Sequence, residues 1–264
     1  CNVGININCN KVQFNDSNKY LIGLLDTFRR LPKDKIFEWL YVTIEKYDLS
    51  LVSKKGYEYY GCESSKGLGS YNKEGYNKLR SDFNSKITQD DEYFLMLYLL
   101  IVYSFNNQLR FNKKGEFNLP VGKRDFNAKM QKKLDGFLDR IKSGDYVFTN
   151  DDFRNIKLDD YTDKSFFYAD PPYLITCATY NEQDGWTEKD EYDLLSYLEQ
   201  IDKKSIRFAL SNVIESKGKT NEILTAWLNK HKSFRTIMLD YDYSNSNYHT
   251  KREGVTKEVL VVNY

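Results

Sequence analysis

Four consecutive residues in the last third of the chain carry the groups best suited to chemistry. Asp170-Pro171-Pro172-Tyr173 directly follows the apolar run Phe166-Phe167-Tyr168-Ala169. The Asp170 carboxylate and the Pro171 carbonyl are hydrogen-bond acceptors, and adjacent prolines fix the backbone φ angle without adding competing N–H donors. This arrangement predicts a site that binds a planar amine, with an aromatic ring beside it.

The amine of a nucleobase is a poor nucleophile because its lone pair is conjugated with the ring. Two oriented acceptors favour a pyramidal nitrogen whose lone pair points at an electrophilic methyl group. Tyr173 can stack on a base that has been pulled out of a duplex. The alternative interpretation is an ordinary Asp-Pro turn at the end of a strand, with Tyr173 in the core. All four residues together, placed after an apolar strand, favour the catalytic interpretation.

The segments around this turn alternate between strands and helices. The predicted elements are a strand over 165–169, a helix over 189–201, a strand over 206–211 and a helix over 221–231. This alternation predicts an α/β fold with a parallel, doubly wound sheet. An antiparallel pair, 234–241 and 257–263, is predicted at the end. Ligands bind at the carboxyl ends of strands in such sheets, which is where the turn lies.

The first half of the chain is predicted to be mainly helical. The expected elements are a strand over 11–14, helices over 18–30, 35–47, 76–84 and 90–103, and a loop or boundary over 51–71. Lys113-Lys114-Gly115 predicts a hairpin turn between residues 109–112 and 116–119. Eight basic and two acidic residues between Arg110 and Lys133 predict a basic patch here.

Composition excludes several classes of protein. The 264 residues are 41% hydrophobic, which is enough for a sizeable core. The net charge of +1 means that a polyanion would need a local basic patch. Four cysteines without a CxxC pair and only two histidines predict no metal. The apolar stretch 93–102 is too short for a bilayer, which needs about 20 residues, so we expect no membrane partner and a cytoplasmic protein.

Two distant motifs resemble one family. Asp170-Pro171-Pro172-Tyr173-Leu174-Ile175-Thr176 and the segment RFNKKGEFNLPVG at 110–122 together resemble the Dam-type N6-adenine DNA methyltransferases of bacteria and phages. The resemblance implies a Rossmann-like, S-adenosylmethionine-dependent domain over 1–50 and 145–264. It also implies an inserted, mainly helical DNA-recognition domain over 51–144 that carries a β-hairpin.

The resemblance also implies an activity and partners. The expected reaction is site-specific methylation of N6 of a flipped adenine in double-stranded DNA, with S-adenosylhomocysteine as the second product and no metal. The target is expected to be short and to contain adenine, as in GATC. The expected setting is the cytoplasm of a bacterial or phage-infected cell, with a monomer or weak dimer and a cognate restriction endonuclease acting on the same site.

By the same resemblance, catalysis is assigned to Asp170, Pro171, Pro172 and Tyr173, and Asp170 also contacts the cofactor. Asp16 is expected to bind the cofactor ribose hydroxyls, although its local alternative is a helix N-cap acid. Asp152-Phe153 is expected to contact the cofactor's adenine, although the local alternative for Asp151-Asp152 is a solvated acidic loop.

The DNA-contacting residues are expected in and around the hairpin. Arg110 is the candidate for reading a base edge, because arginine pairs bidentately with guanine. Asn112 and Pro120 match family positions near the target bases. Phe105-Asn106 resembles a pair that inserts beside the flipped base and contacts the backbone; the alternative is that Phe105 ends the buried helix. The expected phosphate contacts, whose alternative is a solvated charged face, are Lys113, Lys114, Lys123 and Arg124. On polarity and position alone, 244–247 and Lys251-Arg252 are further candidates.

One part of the family pattern is missing from the sequence. The F-x-G-G segment that lines the cofactor's methionine portion is not found, and Val3-Gly4-Ile5-Asn6 resembles the residues that come directly after that segment in the family. We therefore expect part of the amino-terminal cofactor pocket to be missing.

Two alternative functions stay open. The first is another amino methyltransferase, acting on cytosine N4, RNA or a protein glutamine. The second is a DNA-binding relative that has lost catalysis.

Overall fold

A computed structural model describes residues 2–176, 185–239 and 256–264. The chain divides into two compact units, Cys1–Asp152 and Phe153–Tyr264. The first unit contains, in chain order, α1 (Asn2–Asn6), β1 (Lys11–Asn15), α2 (Lys19–Arg30), α3 (Lys33–Lys46), α4 (Val52–Tyr59), α5 (Gly69–Ser85), α6 (Asp91–Tyr103), α7 (Ala128–Ser143) and β2 (Asp145–Thr149). The second contains β3 (Phe166–Ala169), α8 (Glu188–Lys203), β4 (Arg207–Ser216), β5 (Lys219–Thr220), α9 (Glu222–Lys230), β6 (Arg235–Leu239) and β7 (Lys257–Val262).

The core of the first unit is built around α6. This helix is apolar on most sides and packs against α2 and α5. The Asp90 side chain accepts a hydrogen bond from the Tyr93 N–H, and Asn18 caps α2 in the same way. Both caps satisfy N–H groups that the first turn of a helix leaves unpaired. The predicted starts of these helices are confirmed to within a residue.

The prediction of a loop over 51–71 is wrong, because α4 occupies residues 52–59 and α5 begins at Gly69. The start of α4 is capped from a distance. The Asp125 carboxylate, 73 residues further along the chain, accepts a hydrogen bond from the Val52 N–H at 2.6 Å. A cap that comes from elsewhere in the fold leaves no local signal. Gly56, with φ +74°, kinks α4 and interrupts the apolar periodicity.

Helix α7 and strand β2 were not predicted from the sequence. The Asn127 side chain caps α7, whose buried face is formed by Leu134, Leu138 and Ile141. Strand β2 pairs with β1 in parallel, from Lys11 opposite Asp145 to Asn15 opposite Thr149. The pairing partner of β1 therefore comes from more than 130 residues later. The proposed division at 51–144 stays a prediction.

In its described residues, the second unit is a mixed sheet with two α-helices. The strand order is β3-β4-β7-β6, with β3 parallel to β4 and β7 antiparallel to both β4 and β6. The predicted α/β class and the terminal antiparallel pair are therefore confirmed. In the described residues, parallel pairing joins β1 to β2 and β3 to β4, in two sheets. None of the helices within that part of the chain is both long and apolar enough to cross a membrane.

A buried carboxylate ties α8 to its neighbours in the second unit. Glu191 is fully buried, and its Oε1 accepts hydrogen bonds from the side-chain amides of Asn212 at 3.0 Å and Asn221 at 2.8 Å. Its Oε2 accepts from the Trp186 indole N–H at 2.7 Å. Asn221 also caps α9. One side chain thus fixes α8 to β4 and to the start of α9.

Replacing Glu191 should destabilise this unit. Glu191→Ala leaves buried amide donors of Asn212 and Asn221 without their acceptor, so we expect the free energy of unfolding to fall by at least about 2 kcal/mol. Urea denaturation measures this change. Glu188→Ala, at an exposed position on the same helix, is the control and should cost less than about 1 kcal/mol. Equal losses in the two variants would contradict the prediction.

Candidate functional site

The turn Asp170-Pro171-Pro172-Tyr173 leaves the carboxyl end of β3, as predicted. Strand β3 is parallel to β4 with Ala169 opposite Leu210, which places Asp170 beside Ser211. Asp170 and Pro172 are exposed, and Pro171 and Tyr173 are half-buried. The turn therefore lies open at the strand end and is not covered by packed side chains of the described residues.

The Tyr173 hydroxyl lies at the centre of a polar cluster. It is 3.2 Å from Asp170 Oδ1, 2.8 Å from Ser211 Oγ and 3.1 Å from Glu258 Oε1. Ser211 belongs to β4 and Glu258 to β7. The hydroxyl thus joins the turn to two neighbouring strands, and the contacts tether the phenol end of the side chain.

Electrostatics at the turn favour a strong hydrogen-bond acceptor. Although Asp170 as a whole residue is exposed, partial desolvation of its carboxyl group raises the pKa of Asp170 above its ordinary value, and the negative charge of Glu258 raises it further. The hydrogen bond from Tyr173 partly opposes both effects. Burial also raises the pKa of Tyr173 well above its usual range, so the phenol keeps its proton. A more basic carboxylate accepts hydrogen bonds more strongly than an ordinary aspartate.

Neither Ser211 nor Glu258 was predicted as a site residue from the sequence. The only signal was a polar residue at the end of the predicted strand 206–211 and another at the start of the predicted strand 257–263. Such residues are common at strand ends, and nothing in the spacing shows that they meet Tyr173, which lies 38 residues from Ser211 and 85 from Glu258.

The first cofactor candidate, Asp16, directly follows β1. Its carboxylate oxygen Oδ1 accepts a hydrogen bond from the Asn18 N–H at 2.7 Å. The N-cap of α2 is Asn18, so the alternative assignment of Asp16 as the helix cap is wrong. A half-buried carboxylate at a strand end suits the hydroxyls of a ribose.

The second cofactor candidate is Asp152-Phe153. Phe153 is half-buried, with its ring centroid 6.0 Å from that of Trp186 and 5.9 Å from that of Tyr197. The Arg154 guanidinium lies over the same ring at 4.6 Å. Phe153 therefore contributes to the packing of the second unit, and its contact with a cofactor stays a prediction.

The predicted hairpin exists as a tight turn with a short bridge. Phe111 and Phe117 form the bridge, and Gly115 adopts φ +77° in the turn. Asn112 stabilises the turn, because its side-chain oxygen accepts from the backbone N–H groups of Lys114 at 2.9 Å and Glu116 at 3.0 Å. Asn112 therefore stabilises the conformation of the turn.

Arg110 lies at the base of this hairpin. Its Nε donates to Asn118 Oδ1 at 2.8 Å, and Nη2 donates to the Asn118 carbonyl at 3.3 Å. These contacts orient the guanidinium from the opposite arm of the hairpin. An oriented arginine loses less conformational entropy when it binds a base edge or a phosphate.

Two segments predicted to contact DNA lie side by side. The Phe105 N–H donates to the Pro120 carbonyl at 2.9 Å, and Ser104 forms a bridge with Val121. Helix α6 ends at Tyr103, so Phe105 does not belong to it; the Phe105 side chain is 52% exposed. Asn106 adopts φ +58°, a left-handed conformation that asparagine tolerates.

The four predicted phosphate contacts have exposed side chains: Lys113, Lys114, Lys123 and Arg124. Exposure fits both phosphate binding and a solvated face. The candidates at 244–247 and Lys251-Arg252 lie outside the described residues. Within the three described ranges, no group of histidine, cysteine and acidic side chains forms a metal-binding cluster.

The fold and the turn define an α/β protein that carries, at the end of a strand, a partly exposed set of hydrogen-bond acceptors suited to an amine. Residues 1–245 match the family described as D12 class N6 adenine-specific DNA methyltransferase. The chain belongs to this family.

Curated relatives agree with this assignment. The chain is 34% identical to the Type II methyltransferase M.FokI of Planomicrobium okeanokoites and 32% identical to the modification methylase StsI of Streptococcus sanguinis. It is 31% identical to the modification methylase LlaI of Lactococcus lactis subsp. lactis. All of this chain is covered in each comparison, but it spans only 37% of the first two relatives and 38% of the third.

The geometry of the hairpin yields a prediction about Asn84 on α5. Its side chain donates to the Phe117 carbonyl at 3.1 Å and accepts from the Phe117 N–H at 2.9 Å. Asn84→Ala should therefore loosen the hairpin, and we expect amide hydrogen exchange over 111–118 to become at least about 10-fold faster, since two hydrogen bonds are lost. Lys78→Ala, at an exposed position on the same helix, is the control. Unchanged exchange in Asn84→Ala would contradict the prediction.

Proposed function

We propose that the protein containing this chain transfers a methyl group from S-adenosylmethionine to N6 of adenine in double-stranded DNA. The observation that carries the proposal is the partly exposed Asp170-Pro171-Pro172-Tyr173 turn at the end of β3, in a chain of the D12 class. The sulfonium methyl supplied by the cofactor is the electrophile, and S-adenosylhomocysteine is the second product.

The turn binds and orients the amine. The Asp170 carboxylate accepts a hydrogen bond from one N6–H group, and the Pro171 carbonyl accepts a hydrogen bond from the other. Together they direct the nitrogen lone pair at the methyl group. When the N–C bond forms, the nitrogen becomes positively charged and the nearby carboxylate stabilises that charge. The raised pKa of Asp170 suits it to receive the released proton. Stacking of Tyr173 on the extruded adenine completes the proposed site.

The proposed cofactor contacts are Asp16 with the ribose hydroxyls, Asp152 and Phe153 with the cofactor's adenine, and Asp170. The chemistry of these groups fits the role, because a carboxylate accepts from hydroxyls and amines and an aromatic ring packs against a base. We assign the Rossmann-like domain to 1–50 and 145–264 and the recognition domain to 51–144. The helices α4 to α7 and the hairpin turn within 51–144 support that assignment.

For DNA, Arg110 and Asn112 are proposed to contact bases, with Pro120 beside them. Phe105-Asn106 is proposed to insert next to the extruded adenine, and its exposure beside Pro120 supports this role. The exposed basic residues of the patch hold phosphates, which adds affinity without sequence choice. GATC is the first target to test, and the names of the relatives favour a restriction-modification setting with a cognate endonuclease.

Asp170→Ala should abolish methylation while leaving DNA binding intact. We express the whole protein in cells without adenine methylation and map N6-methyladenine by sequencing their DNA, which also identifies the target. In vitro, kcat of the variant should fall at least about 100-fold, because an acceptor aimed at the reacting nitrogen is lost. The Kd for DNA should change by less than about threefold.

The outcomes separate the alternatives. N4-methylcytosine in place of N6-methyladenine indicates a cytosine enzyme. Wild-type protein that binds DNA but shows no heat with S-adenosylmethionine in calorimetry indicates a relative without catalysis. Full activity of Asp170→Ala would show that the turn is not the active site.

Arg110→Ala should relax sequence choice at one base pair. Loss of a bidentate contact costs about 1–3 kcal/mol of discrimination, measured as methylation rates across duplexes that differ at single positions. Lys113→Ala is the matched control, because loss of a phosphate contact weakens binding equally on all sequences. A uniform loss for Arg110→Ala as well would identify Arg110 as a phosphate contact.

A further inference from the structure

Three adjacent strands direct polar side chains to one face of the sheet. Parallel pairing of β3 and β4 puts Tyr168 opposite Ala209, so Tyr168 and Asp170 lie on the same face as Ser211, because side chains alternate between faces. Antiparallel pairing puts Glu258 of β7 opposite Val213, two residues after Ser211. Glu258 therefore lies on this face too.

The Tyr173 hydroxyl has one proton to share among these groups. Its neighbours are Ser211 at 2.8 Å, Glu258 at 3.1 Å and Asp170 at 3.2 Å. A proton donated to Glu258 leaves both oxygens of Asp170 available to a substrate amine. A proton donated to Asp170 competes with that amine for the same lone pairs.

We propose that Ser211 and Glu258 are positioning residues that hold the Tyr173 hydroxyl and, through it, keep the Asp170 carboxylate available as an acceptor. The inference rests on the proposed methyl transfer. Neither residue contacts the reacting atoms. Both act by fixing where the phenol lies and where its proton points.

The electrostatics of the cluster predict the direction in which a substitution of Glu258 shifts the pKa of Asp170. The titratable groups around Asp170 within the described part of the chain are Tyr168, Tyr173 and Glu258. The Glu258 charge raises the pKa of Asp170, and the Tyr173 hydrogen bond lowers it. Glu258→Gln removes the charge and leaves a neutral, weaker acceptor opposite the phenol, which favours donation of the phenol proton to Asp170. Both changes lower the pKa of Asp170.

The test compares Glu258→Gln with Glu215→Gln. Glu215 is a carboxylate of β4 that pairs with Lys257 at 2.6 Å, so its substitution changes the same chemistry away from Tyr173. Initial rates of methyl transfer are measured on the duplex site found by sequencing, from acid to neutral pH. For Glu258→Gln we expect kcat to fall about 10- to 100-fold, as for a misplaced acceptor, with KM for DNA within about twofold.

In Glu258→Gln, the acid limb of the plot of kcat against pH should also move to lower pH, because Asp170 with a lowered pKa stays ionised in more acidic solution. Glu215→Gln should match the wild type in both kcat and the acid limb. Ser211→Ala should lower kcat and Ser211→Thr, which keeps a hydroxyl, should restore it. This pair tests the inference without changing a charge.

Two results would overturn the inference. One is a wild-type kcat and acid limb in Glu258→Gln together with a wild-type kcat in Ser211→Ala. The other is a loss of kcat in Glu258→Gln that follows a fall in Tm while the acid limb stays in place, which would indicate a purely structural role. Absence of methyl transfer by the wild-type protein would instead overturn the proposed function, and this inference with it.

Discussion

The alternation of side chains across three paired strands is the constraint on which the candidate site depends. Asp170, Ser211 and Glu258 reach one face only because the registers of β3 with β4 and of β4 with β7 have the right parity. A slip of one residue in either register would send a side chain to the opposite face. The Tyr173 hydroxyl then connects the three groups and ties the proline-rich turn to the sheet.

In the first unit, hydrogen bonds from side chains to the backbone fix the conformation of the hairpin. The hairpin has a single bridge of its own, so it depends on α5 for support. Asn84 pairs with both backbone groups of Phe117, and the Leu119 carbonyl accepts from the Tyr76 hydroxyl at 3.0 Å and from Arg80 at 2.8 Å. The Tyr20 ring of α2 stacks on Phe111 at 3.9 Å. A short loop thereby gains a defined shape before any ligand binds.

Charge is distributed unevenly in a chain that is nearly neutral overall. The net charge is +1, yet the region from Arg110 to Lys133 is strongly basic and its lysines are exposed. The second unit instead concentrates carboxylates around the turn and α8, and these are paired with tyrosine, asparagine or arginine side chains. A local basic patch attracts a polyanion, whereas a clustered set of carboxylates binds amines and hydroxyls.

The sequence by itself determined the position of the Asp170-Pro171-Pro172-Tyr173 turn after a strand, the α/β class, the capped helices α2 and α6, and the family. These features depend on neighbouring residues: an acid and two prolines after an apolar strand, an Asn or Asp before a periodic run, and a turn around Gly115. Only the tertiary structure decided where α4 begins, because its cap is Asp125, and which strand pairs with β1. It also decided that Ser211 and Glu258 meet Tyr173. Such contacts join residues far apart in the chain, and strand pairing sets them, so no local pattern records them.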